Sequence, residues 1–432
     1  MRGTTIMDQF VIRGGVPLRG SVQPAGNKNS ALPLLAACLL TDQPVTLHNM
    51  PLIEDVQTMR QLVQAAGATV ELLGPRTWRI QAARVSGAQL DPELCSAIRA
   101  SILLAGPLLA RCGELHLSAP GGDVIGRRRL DTHLLALRAL GAQIDWRESF
   151  HMHTKGLQGA AILLDEASVT ATENAVMAAV LARGNSVLRN VASEPHVQEL
   201  CRFLNQLGAR IRGIGSNVLE IEGVARLQGG EHTVEPDYLE VVSFAGAAAV
   251  TGGEVRIVGA AQCPLEMAAV VFGRMGVHWQ TEGADLLVAA NQALRITQDF
   301  GGAIPKVDDA PWPGFPADLM SVAILVATQC TGTVLFHEKM FESRLYFVDK
   351  LVSMGARIVV CDPHRCVVQG PGQLRGERLE SPDIRAGMAL LLAALCAQGE
   401  SLIRNIGQIE RGYERVDEKL RALGADIVRA PA

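Results

Sequence analysis

One phrase recurs six times along the 432-residue chain and constrains the fold more than any other feature. In each copy a helix-like stretch ends in a glycine that is followed by a strand-like run, which is typical of a helix C-terminus leading into a strand. A period of about 70 residues predicts repeated α/β units. The phrases are QAAGATV, RALGAQI, NQLGARI, GRMGVHW, VSMGARI and RALGADI, with Gly67, Gly141, Gly208, Gly276, Gly355 and Gly424.

An apolar, alanine-rich helix is predicted upstream of each phrase. These helices are apolar on nearly every face, which is typical of buried helices. Their sequences are SALPLLAACLL, SAIRASILLAGPLLARCG, ATENAVMAAVLARG, VSFAGAAAVTGG, DLMSVAILVATQCTG and IRAGMALLLAALCAQG. The predicted fold class is therefore α/β, built from six repeated units.

The chain ends indicate how the units are grouped. A strand pair follows each phrase except the sixth, which lies just before Ala432. The N-terminal stretch FVIRGGVPLRGSVQPAG has the same rhythm and no unit before it, so we expect it to complete the C-terminal half. This predicts two three-unit domains, residues 28–235 and residues 1–27 plus 236–432. A cleft between two similar domains is a natural ligand site.

Composition narrows the possible functions. The net charge of −4 argues against a nucleic-acid-binding protein, which usually carries a basic excess over a whole domain. The longest apolar run, AGMALLLAALCA, is too short for a membrane span, and MRGTTIMDQF lacks the apolar core of a signal peptide. Several of the nine cysteines lie in apolar helices, so we expect a cytoplasmic protein with reduced thiols.

The loop PGGDVIGRRRLDTH combines one carboxylic acid, Asp123, with the arginine triplet at 127–129. Its glycines allow the backbone to approach another molecule closely. Since the whole protein is slightly acidic, a small anion explains this cationic loop better than a nucleic acid does. A solvated surface turn is the alternative interpretation.

Three arginines occupy equivalent strand–loop–helix positions in three of the units. They are Arg128 in unit two, Arg344 in unit five and Arg411 in unit six, whereas the corresponding loops NMPLIEDV and GAAQCPLE carry none. A guanidinium group can bind a phosphate or a carboxylate through two parallel hydrogen bonds. Three such loops predict a polyanionic ligand.

Charged residues at helix starts allow two interpretations. Lys28 opens the first buried helix, where the helix dipole disfavours a cation unless an anion binds there too. We expect that neither Lys28 nor Arg411 is needed for folding. Asp237, Asp318 and Asp383 follow or nearly follow prolines at the starts of three buried helices, where an aspartate is normally a cap.

Arg99 and Arg385 lie in apolar stretches that are predicted to be helical, so their charges need partners. Internal ion pairs with Glu93 or Asp383 are one possibility, and an anionic ligand is the other. No dinucleotide-binding, P-loop, zinc-protease or serine-hydrolase motif is present, and the spacing in CDPHRC fits no zinc site. We therefore predict no cofactor and no metal.

The chain resembles the enolpyruvyl transferases over nearly its whole length. The motifs that carry the resemblance are GNKNSALP, IRASILLAGPLLAR, PGGDVIGRR, SVTATEN, FPADLMS, MFESR, DIRAG and RGYERVDEKL. The resemblance implies two inverted α/β barrel domains built from six units. It further implies transfer of the carboxyvinyl group of phosphoenolpyruvate to the 3′-hydroxyl of UDP-N-acetylglucosamine with release of phosphate, the first committed step of peptidoglycan synthesis.

The resemblance implies catalytic roles for three residues. Asp123 stands where most members have cysteine and would donate a proton to phosphoenolpyruvate. Asp318 would contact the attacking hydroxyl, and Lys28 would bind the phosphate. Because a carboxylate reacts poorly with an epoxide, the resemblance also implies insensitivity to fosfomycin, which alkylates the cysteine of other members.

The resemblance also implies two sets of binding residues. Phosphoenolpyruvate would be bound by Lys28, Asn29, Arg128, Arg344, Arg385 and Arg411. UDP-N-acetylglucosamine would be bound by Arg99, Arg128, Arg129, Leu130, Asp131, Thr132, Glu166, Ala167, Ser168, Val169, Asp318 and Met340.

Three positions depart from the family pattern: Asn27 replaces alanine, Arg129 replaces proline and Thr170 replaces glycine. These departures leave the acceptor open. A different nucleotide acceptor is one alternative, and a nucleotide-sugar-binding paralogue without turnover is another. Shikimate 3-phosphate fits poorly, because SVTATEN and MFESR resemble the nucleotide-sugar branch.

Overall fold

A computed structural model describes residues 8–87, 90–122, 126 and 128–431 of the chain. The strands β1 to β23 are, in order, Asp8–Arg13, Arg19–Val22, Val45–His48, Thr69–Gly74, Thr77–Gln81, Glu114–Leu117, Gln143–Trp146, Phe150–His153, Ala161–Leu163, Asn185–Arg189, Arg210–Arg212, Val218–Glu222, Gly230–Thr233, Glu254–Ile257, Gln280–Glu282, Asp285–Val288, Lys306–Asp308, Gly332–His337, Arg357–Asp362, Arg365–Gly370, Arg378–Glu380, Glu400–Arg404 and Asp426–Pro431. The helices α1 to α14 are Lys28–Ala37, Glu54–Ala65, Pro92–Ala97, Ala105–Cys112, Asp131–Ala139, Val169–Ala179, Pro195–Gln206, Tyr238–Thr251, Glu266–Gly273, Ala317–Thr328, Val348–Ser353, Ile384–Cys396, Gly407–Glu410 and Val416–Ala422. Short 3₁₀ helices cover Cys38–Leu40, Arg99–Leu104 and Phe300–Gly302.

The strands within the described residues form six sheets, one for each predicted unit. Five sheets have four strands and share one design, in which a single parallel pair at one edge adjoins antiparallel strands. In the first unit, for example, β3 is parallel to β13 and antiparallel to β5. The sixth unit has the same arrangement around β22 and β1. This repetition confirms the predicted α/β class.

The N-terminal strands complete sheets of the later units. β1 lies between β22 and β23 and is antiparallel to both, so that Phe10 faces Ile403 on one side and Arg429 on the other. β2 is the parallel edge strand beside β14. These pairings supply the strands that the sixth phrase lacks, as the sequence predicts.

The described chain divides into two compact units. The C-terminal unit contains residues 8–25, 126 and 236–431, and the N-terminal unit contains residues 26–87, 90–122 and 128–235. Each unit has its own hydrophobic core. The limits predicted for two folding domains, 28–235 and 1–27 plus 236–432, stay a prediction.

Alanine-rich helices form the centre of each core. In the C-terminal unit α8, α10 and α12 pack against one another and are buried over nearly their whole length. In the N-terminal unit α4 packs on α6, and Gly106 lies against the backbone of Asn174 with no room for a side chain. The small residues that the sequence places in these helices therefore allow close approach of the backbones.

One predicted helix is divided into three pieces. SAIRASILLAGPLLARCG begins in α3, continues through Ile98 in extended conformation and the 3₁₀ helix that opens at Arg99, and ends in α4. The hydroxyl of Ser101 donates to the carbonyls of Cys95 and Ile98, at 2.7 and 3.0 Å. These bonds satisfy carbonyls at the break, so Arg99 opens a tight turn instead of lying inside a helix.

The six repeat glycines all have positive φ, between 81° and 103°. Each follows a helix and precedes a strand, or in unit four an extended segment, which confirms the predicted left-handed C-terminal position. All nine cysteines have free thiols in the structure. No helix in the described ranges is long and apolar enough to span a membrane.

Candidate active site

Asp318 lies in the first turn of α10 and accepts hydrogen bonds from two arginines of the C-terminal unit. Nη2 of Arg344 is 2.5 Å from Oδ1, and Nε of Arg385 is 3.1 Å from Oδ2. Arg344 comes from the loop after β18, and Arg385 comes from the first turn of α12. The repeated architecture therefore brings one carboxylate and two guanidinium groups, all three predicted from sequence, into one cluster.

The charges of this cluster stabilise one another. Burial acts to raise the pKa of Asp318, but the positive charges of Arg385 and Arg344 outweigh it and hold that pKa well below its usual value. Burial acts to lower the pKa of each arginine, and the charge of Asp318 reverses the effect. The Asp318 side chain is 27% exposed while the arginine side chains are 10% and 5% exposed, so a ligand can reach the carboxylate.

Two guanidinium nitrogens of the cluster are buried and have no hydrogen-bond partner among the described residues. They are Nε of Arg344 and Nη1 of Arg385. The guanidinium planes pack on aromatic rings, Arg344 on Phe341 and Arg385 on Tyr413, each at 5.3 Å. Leaving a buried charged donor unsatisfied costs on the order of 1–3 kcal/mol or more, and a bound anion would remove that cost.

Two interpretations of the helix-start residues need correction. Asp318 is not a cap, because the N-cap of α10 is Pro316 and makes no side-chain capping bond. Asp237 and Asp383 do cap their helices, as predicted. The suggested ion pair between Arg385 and Asp383 is wrong. The Asp383 carboxylate accepts the backbone N–H of Arg385, whereas the guanidinium of Arg385 binds Asp318.

The remaining predicted residues of the C-terminal unit lie in loops between strands and helices. Arg411 is the C-cap residue of α13, and its Nη1 donates to Gln408 at 3.1 Å. Met340 lies in the loop that leads to Arg344, and its side chain is exposed. Both therefore lie in the strand-to-helix loops where the repeat predicts ligand-binding residues.

Lys28 is the first residue of α1, and its side chain is buried beside Asp55. Nζ is 2.6 Å from Oδ2 of that carboxylate. Asn27 caps the helix by accepting the N–H groups of Asn29 and Ser30, at 2.8 and 3.2 Å. The expectation that folding does not need Lys28 is therefore wrong in its premise, since truncation would leave a buried carboxylate without its cation.

Asp55 was not identified from the sequence. It lies in NMPLIEDV, the loop and helix start of unit one that take the place of the arginine-bearing loops in other units, and it belongs to the first turn of α2. That loop carries an acid where others carry a cation. A buried lysine needs a partner of opposite charge. The equivalence of this loop to the arginine-bearing loops could therefore have identified Asp55 as the partner of Lys28.

Arg99 supports the loop that carries Arg128. Its Nη2 donates to the backbone carbonyls of Arg128 and Arg129, at 2.6 and 3.1 Å, and does not pair with Glu93 as one alternative proposed. Burial, and then the positive charge of Arg128, lowers the pKa of Arg99 to about 10. Two like charges held close together in this way favour a polyanionic ligand.

The two segments predicted to bind the nucleotide sugar lie side by side. Arg129 Nη2 is 2.8 Å from Oδ2 of Asp165, and the hydroxyl of Thr132 is 2.7 Å from Oδ1 of the same carboxylate. Asp165 directly precedes Glu166–Val169, whose last residue begins α6. Leu130 and Asp131 begin α5 in the other segment. Asp165 was not identified from the sequence, although it adjoins a predicted segment.

His133 explains the unusual Thr170. Its ring is buried, with Nδ1 accepting from Asn174 at 3.0 Å and Nε2 donating to the Thr170 hydroxyl at 3.1 Å. Burial and the nearby charges of Arg99 and Arg128 lower the pKa of His133 to about 3, so the ring is neutral. All three residues that depart from the family pattern thus make local contacts. Asn27 caps α1, Arg129 pairs with Asp165, and Thr170 accepts a hydrogen bond from His133.

Asp123, the predicted proton donor, lies outside the described residues. The other predicted residues form two groups. In the C-terminal unit Arg344 and Arg385 bind Asp318, while Arg411 and Met340 lie in loops of the same unit. Those of the N-terminal unit lie on the turn at Arg99, the start of α1 and the two neighbouring segments.

The sequence matches the family of EPSP synthase (3-phosphoshikimate 1-carboxyvinyltransferase) over residues 12–420. The chain belongs to this family. Two curated relatives carry the name UDP-N-acetylglucosamine 1-carboxyvinyltransferase. The protein from Bradyrhizobium diazoefficiens is 57% identical over 98% of each chain, and that from Treponema denticola is 53% identical over 98% of this chain and 99% of its own.

Solved structures agree with the family assignment. The enolpyruvyl transferase NikO from Streptomyces tendae superposes with a TM-score of 0.88 at 26% identity, covering 99% of both chains. EPSP synthase from Acinetobacter baumannii gives a TM-score of 0.77 at 18% identity over 98% of this chain and all of the other, which shows the shared fold. The predicted fold and family are confirmed.

Proposed function

We propose that this protein transfers the carboxyvinyl group of phosphoenolpyruvate to the 3′-hydroxyl of UDP-N-acetylglucosamine and releases phosphate. The observation that carries the proposal is the cluster of Asp318, Arg344 and Arg385, in which two guanidinium nitrogens without a partner among the described residues fit an anionic substrate. The names of relatives at 53% and 57% identity support this acceptor over other nucleotides. The reaction would provide the first committed intermediate of peptidoglycan.

The cations divide the anionic groups of phosphoenolpyruvate between them. Arg344 and Arg385 bind its carboxylate through the nitrogens that lack a described partner. Lys28, Arg128 and Arg411 bind its phosphate. This distribution holds the vinyl carbons in place and stabilises the negative charge of the leaving phosphate, so that catalysis depends mainly on positioning and electrostatics.

The reaction proceeds by addition and elimination. The 3′-oxygen attacks C2 of phosphoenolpyruvate while Asp318 accepts its proton and Asp123 donates one to C3, which gives a tetrahedral ketal. Asp123 then takes back a proton from C3, the bond between C2 and the phosphate oxygen breaks, and the double bond re-forms. Asp318 returns its proton to the departing phosphate. Atoms balance without a cofactor, and both carboxyl groups return to their starting forms.

Asp318 becomes a stronger base when the substrate binds. In the free protein its pKa is depressed by Arg385 and Arg344, which outweigh the effect of burial. A substrate carboxylate on the same guanidinium groups shares their charge, so the pKa of Asp318 rises toward the range where it can accept a proton. Base strength is therefore coupled to occupancy of the site.

The N-terminal unit binds the nucleotide sugar. The proposed ligands of the nucleotide sugar are Arg99, Asn29 and the segments Arg128–Thr132 and Glu166–Val169, together with Met340 and Asp318. The buried, neutral His133 and the Asp165 bridge keep the two segments aligned. Phosphoenolpyruvate and UDP-N-acetylglucosamine are cytoplasmic metabolites, so we place the enzyme in the cytoplasm.

The test is phosphate release from phosphoenolpyruvate with UDP-N-acetylglucosamine, UDP-glucose or shikimate 3-phosphate as acceptor, with Asp318→Asn as the control. We expect release with the first acceptor and a loss of about 10²–10³-fold in the variant. Release with shikimate 3-phosphate alone would contradict the acceptor. Tight binding of UDP-N-acetylglucosamine without release would favour the paralogue that lacks turnover.

A further inference from the structure

Two acidic residues outside the proposed chemistry are completely buried next to each other. Asp309 follows β17 and Glu338 follows β18, and these strands are parallel neighbours in register at Asp308 and His337. Adjacent strand ends therefore deliver both carboxyl groups to one place. Two buried carboxylates at such close range cannot both be ionised without a large electrostatic cost.

The acids hold the backbone of residues 339–341. Asp309 accepts the N–H groups of Lys339 and Met340, at 2.5 and 3.2 Å. Glu338 Oε1 accepts those of Met340 and Phe341, at 3.3 and 3.1 Å. Three consecutive N–H groups thus converge on two carboxyl groups, which fixes the course of the turn.

The chemistry of the pair requires one shared proton. The other oxygen of Glu338, Oε2, is buried and receives no hydrogen-bond donor from the described residues, a position that suits a protonated oxygen. Burial, and then the hydrogen bond and negative charge of Asp309, raise the pKa of Glu338 to about 9. The pair therefore carries a single negative charge at neutral pH.

A short chain of contacts connects this pair to the proposed active site. Glu338 binds the N–H of Phe341, the ring of Phe341 packs on the guanidinium of Arg344 at 5.3 Å, and Arg344 binds Asp318 at 2.5 Å. The charges of Glu338 and Arg344 also act on each other's pKa. A second negative charge at Glu338 would compete for the guanidinium that binds the substrate carboxylate.

We propose that Asp309 and Glu338 are positioning residues that share one proton and, through the backbone of residues 339–341, hold Arg344 in the orientation that binds the carboxylate of phosphoenolpyruvate. The inference rests on the proposed function of Arg344. It assigns a role in substrate affinity to two acids that touch no substrate.

The first experiment measures phosphate release at saturating UDP-N-acetylglucosamine, with phosphoenolpyruvate varied between pH 7 and 10. In the parent protein the KM for phosphoenolpyruvate should rise roughly tenfold as Glu338 loses its proton. Glu338→Gln keeps the acceptor for the N–H groups and donates to Asp309, so its KM should stay within about twofold over this range. Glu338→Ala should raise KM about tenfold even at pH 7, with kcat less affected.

Other charged groups near Glu338 are Asp309, Asp308, Lys306, His337, Lys339, His364 and Arg344. Their titration affects the parent and Glu338→Gln alike, so the ratio of the two KM values isolates Glu338. Glu240→Gln is the matched control, because Glu240 is equally buried in the same unit and binds Lys419. That variant should keep the alkaline rise in KM. An equal rise in Glu338→Gln would overturn the proposal.

Thermal unfolding separates this inference from the proposed function. The pKa of Glu338 is raised in the folded state from 4.5 to about 9, so its stabilising contribution is complete below pH 4.5 and is lost as the pH rises toward 9. The free energy of unfolding should therefore fall more steeply with pH in the parent than in Glu338→Gln. A parent that releases no phosphate would refute the proposed function alone, whereas equal slopes in this measurement would refute the shared proton.

Discussion

The two units of the molecule treat their arginines differently. In the C-terminal unit Arg344 and Arg385 bind the same carboxylate, Asp318, and its charge raises the pKa of both against the effect of burial. In the N-terminal unit Arg99 binds backbone carbonyls near Arg128, and burial together with that second positive charge lowers its pKa to about 10. In the first cluster a carboxylate raises the pKa of the arginines, whereas in the second a neighbouring positive charge lowers the pKa of Arg99.

This difference indicates what each unit gains from a ligand. Asp318, Arg344 and Arg385 are pre-organised, so an arriving anion takes up nitrogens that are already in place. The positive charge of Arg128 acts against that of Arg99, so an anion bound beside both would offset this repulsion. Lys28 is intermediate, because Asp55 neutralises it in the free protein. Three predictions test this comparison.

The largest expected effect concerns Asp123, which is either a proton donor or merely a counter-ion for the neighbouring arginines. As a donor, Asp123→Ala should lose about 10²–10⁴-fold in turnover. Asp123→Cys should keep substantial activity and become labelled by fosfomycin, whereas the parent should not react. The measurement is phosphate release across pH, with mass spectrometry after exposure to the epoxide.

A counter-ion would give the opposite result. Removing it would leave the cations more available, so Asp123→Ala would bind phosphoenolpyruvate more tightly and keep its turnover. The pH profile of Asp123→Cys provides a further distinction, because the reference pKa of a thiol is several units above that of a carboxyl. Its alkaline limb should therefore move to higher pH.

Local patterns in the sequence were enough for the architecture and for the three charged residues of the Asp318 cluster. The six glycines determine where helices end, and apolar composition determines which helices are buried. Arg344 and Arg385 were recognisable because each is a charge in an otherwise repeated setting. Periodicity could not predict the division of the helix at Ile98. The Ser101 hydroxyl donates to the carbonyl of Ile98 only once the turn has formed.

The partners of the predicted cations were the part that the sequence did not reveal. Asp55 meets Lys28, and Asp165 meets Arg129, only because separate loops of the fold converge. Asp309 and Glu338 are 29 positions apart and become neighbours through the parallel pairing of β17 and β18. Long-range pairing depends on strand order and register, which a single sequence specifies only indirectly.

An intermediate effect is expected when the buried pair of the N-terminal unit is broken. Lys28→Met should lose about 10²–10³-fold in turnover, because a phosphate ligand is removed. It should also lower the free energy of unfolding by roughly 3–5 kcal/mol, because Asp55 keeps a buried charge without its cation. Chemical denaturation and phosphate release measure the two effects separately.

The double variant Lys28→Met/Asp55→Asn separates the structural role from the catalytic one. With the carboxylate neutralised, most of the stability should return while turnover stays low. Recovery of turnover in the double variant would mean that Lys28 only neutralises Asp55. In that case Lys28 would not be a phosphate ligand.

The smallest expected effect concerns the repulsion between Arg99 and Arg128. Arg128→Gln removes one of the two charges and keeps the backbone carbonyl that Arg99 binds, so the free energy of unfolding without ligand should change by less than about 1 kcal/mol. Addition of UDP-N-acetylglucosamine at 100 times its dissociation constant should stabilise the parent by about 2.7 kcal/mol. At the same concentration the variant should gain clearly less, because it has lost both a ligand contact and the relief of repulsion.

Arg212→Gln, at an exposed position of β11, is the matched control and should respond like the parent. Thermal melting with and without the nucleotide sugar measures all three proteins. If Arg128→Gln gained as much stability from the nucleotide sugar as the parent, then Arg128 would not be a ligand, and the contrast between the two arginine clusters would fail.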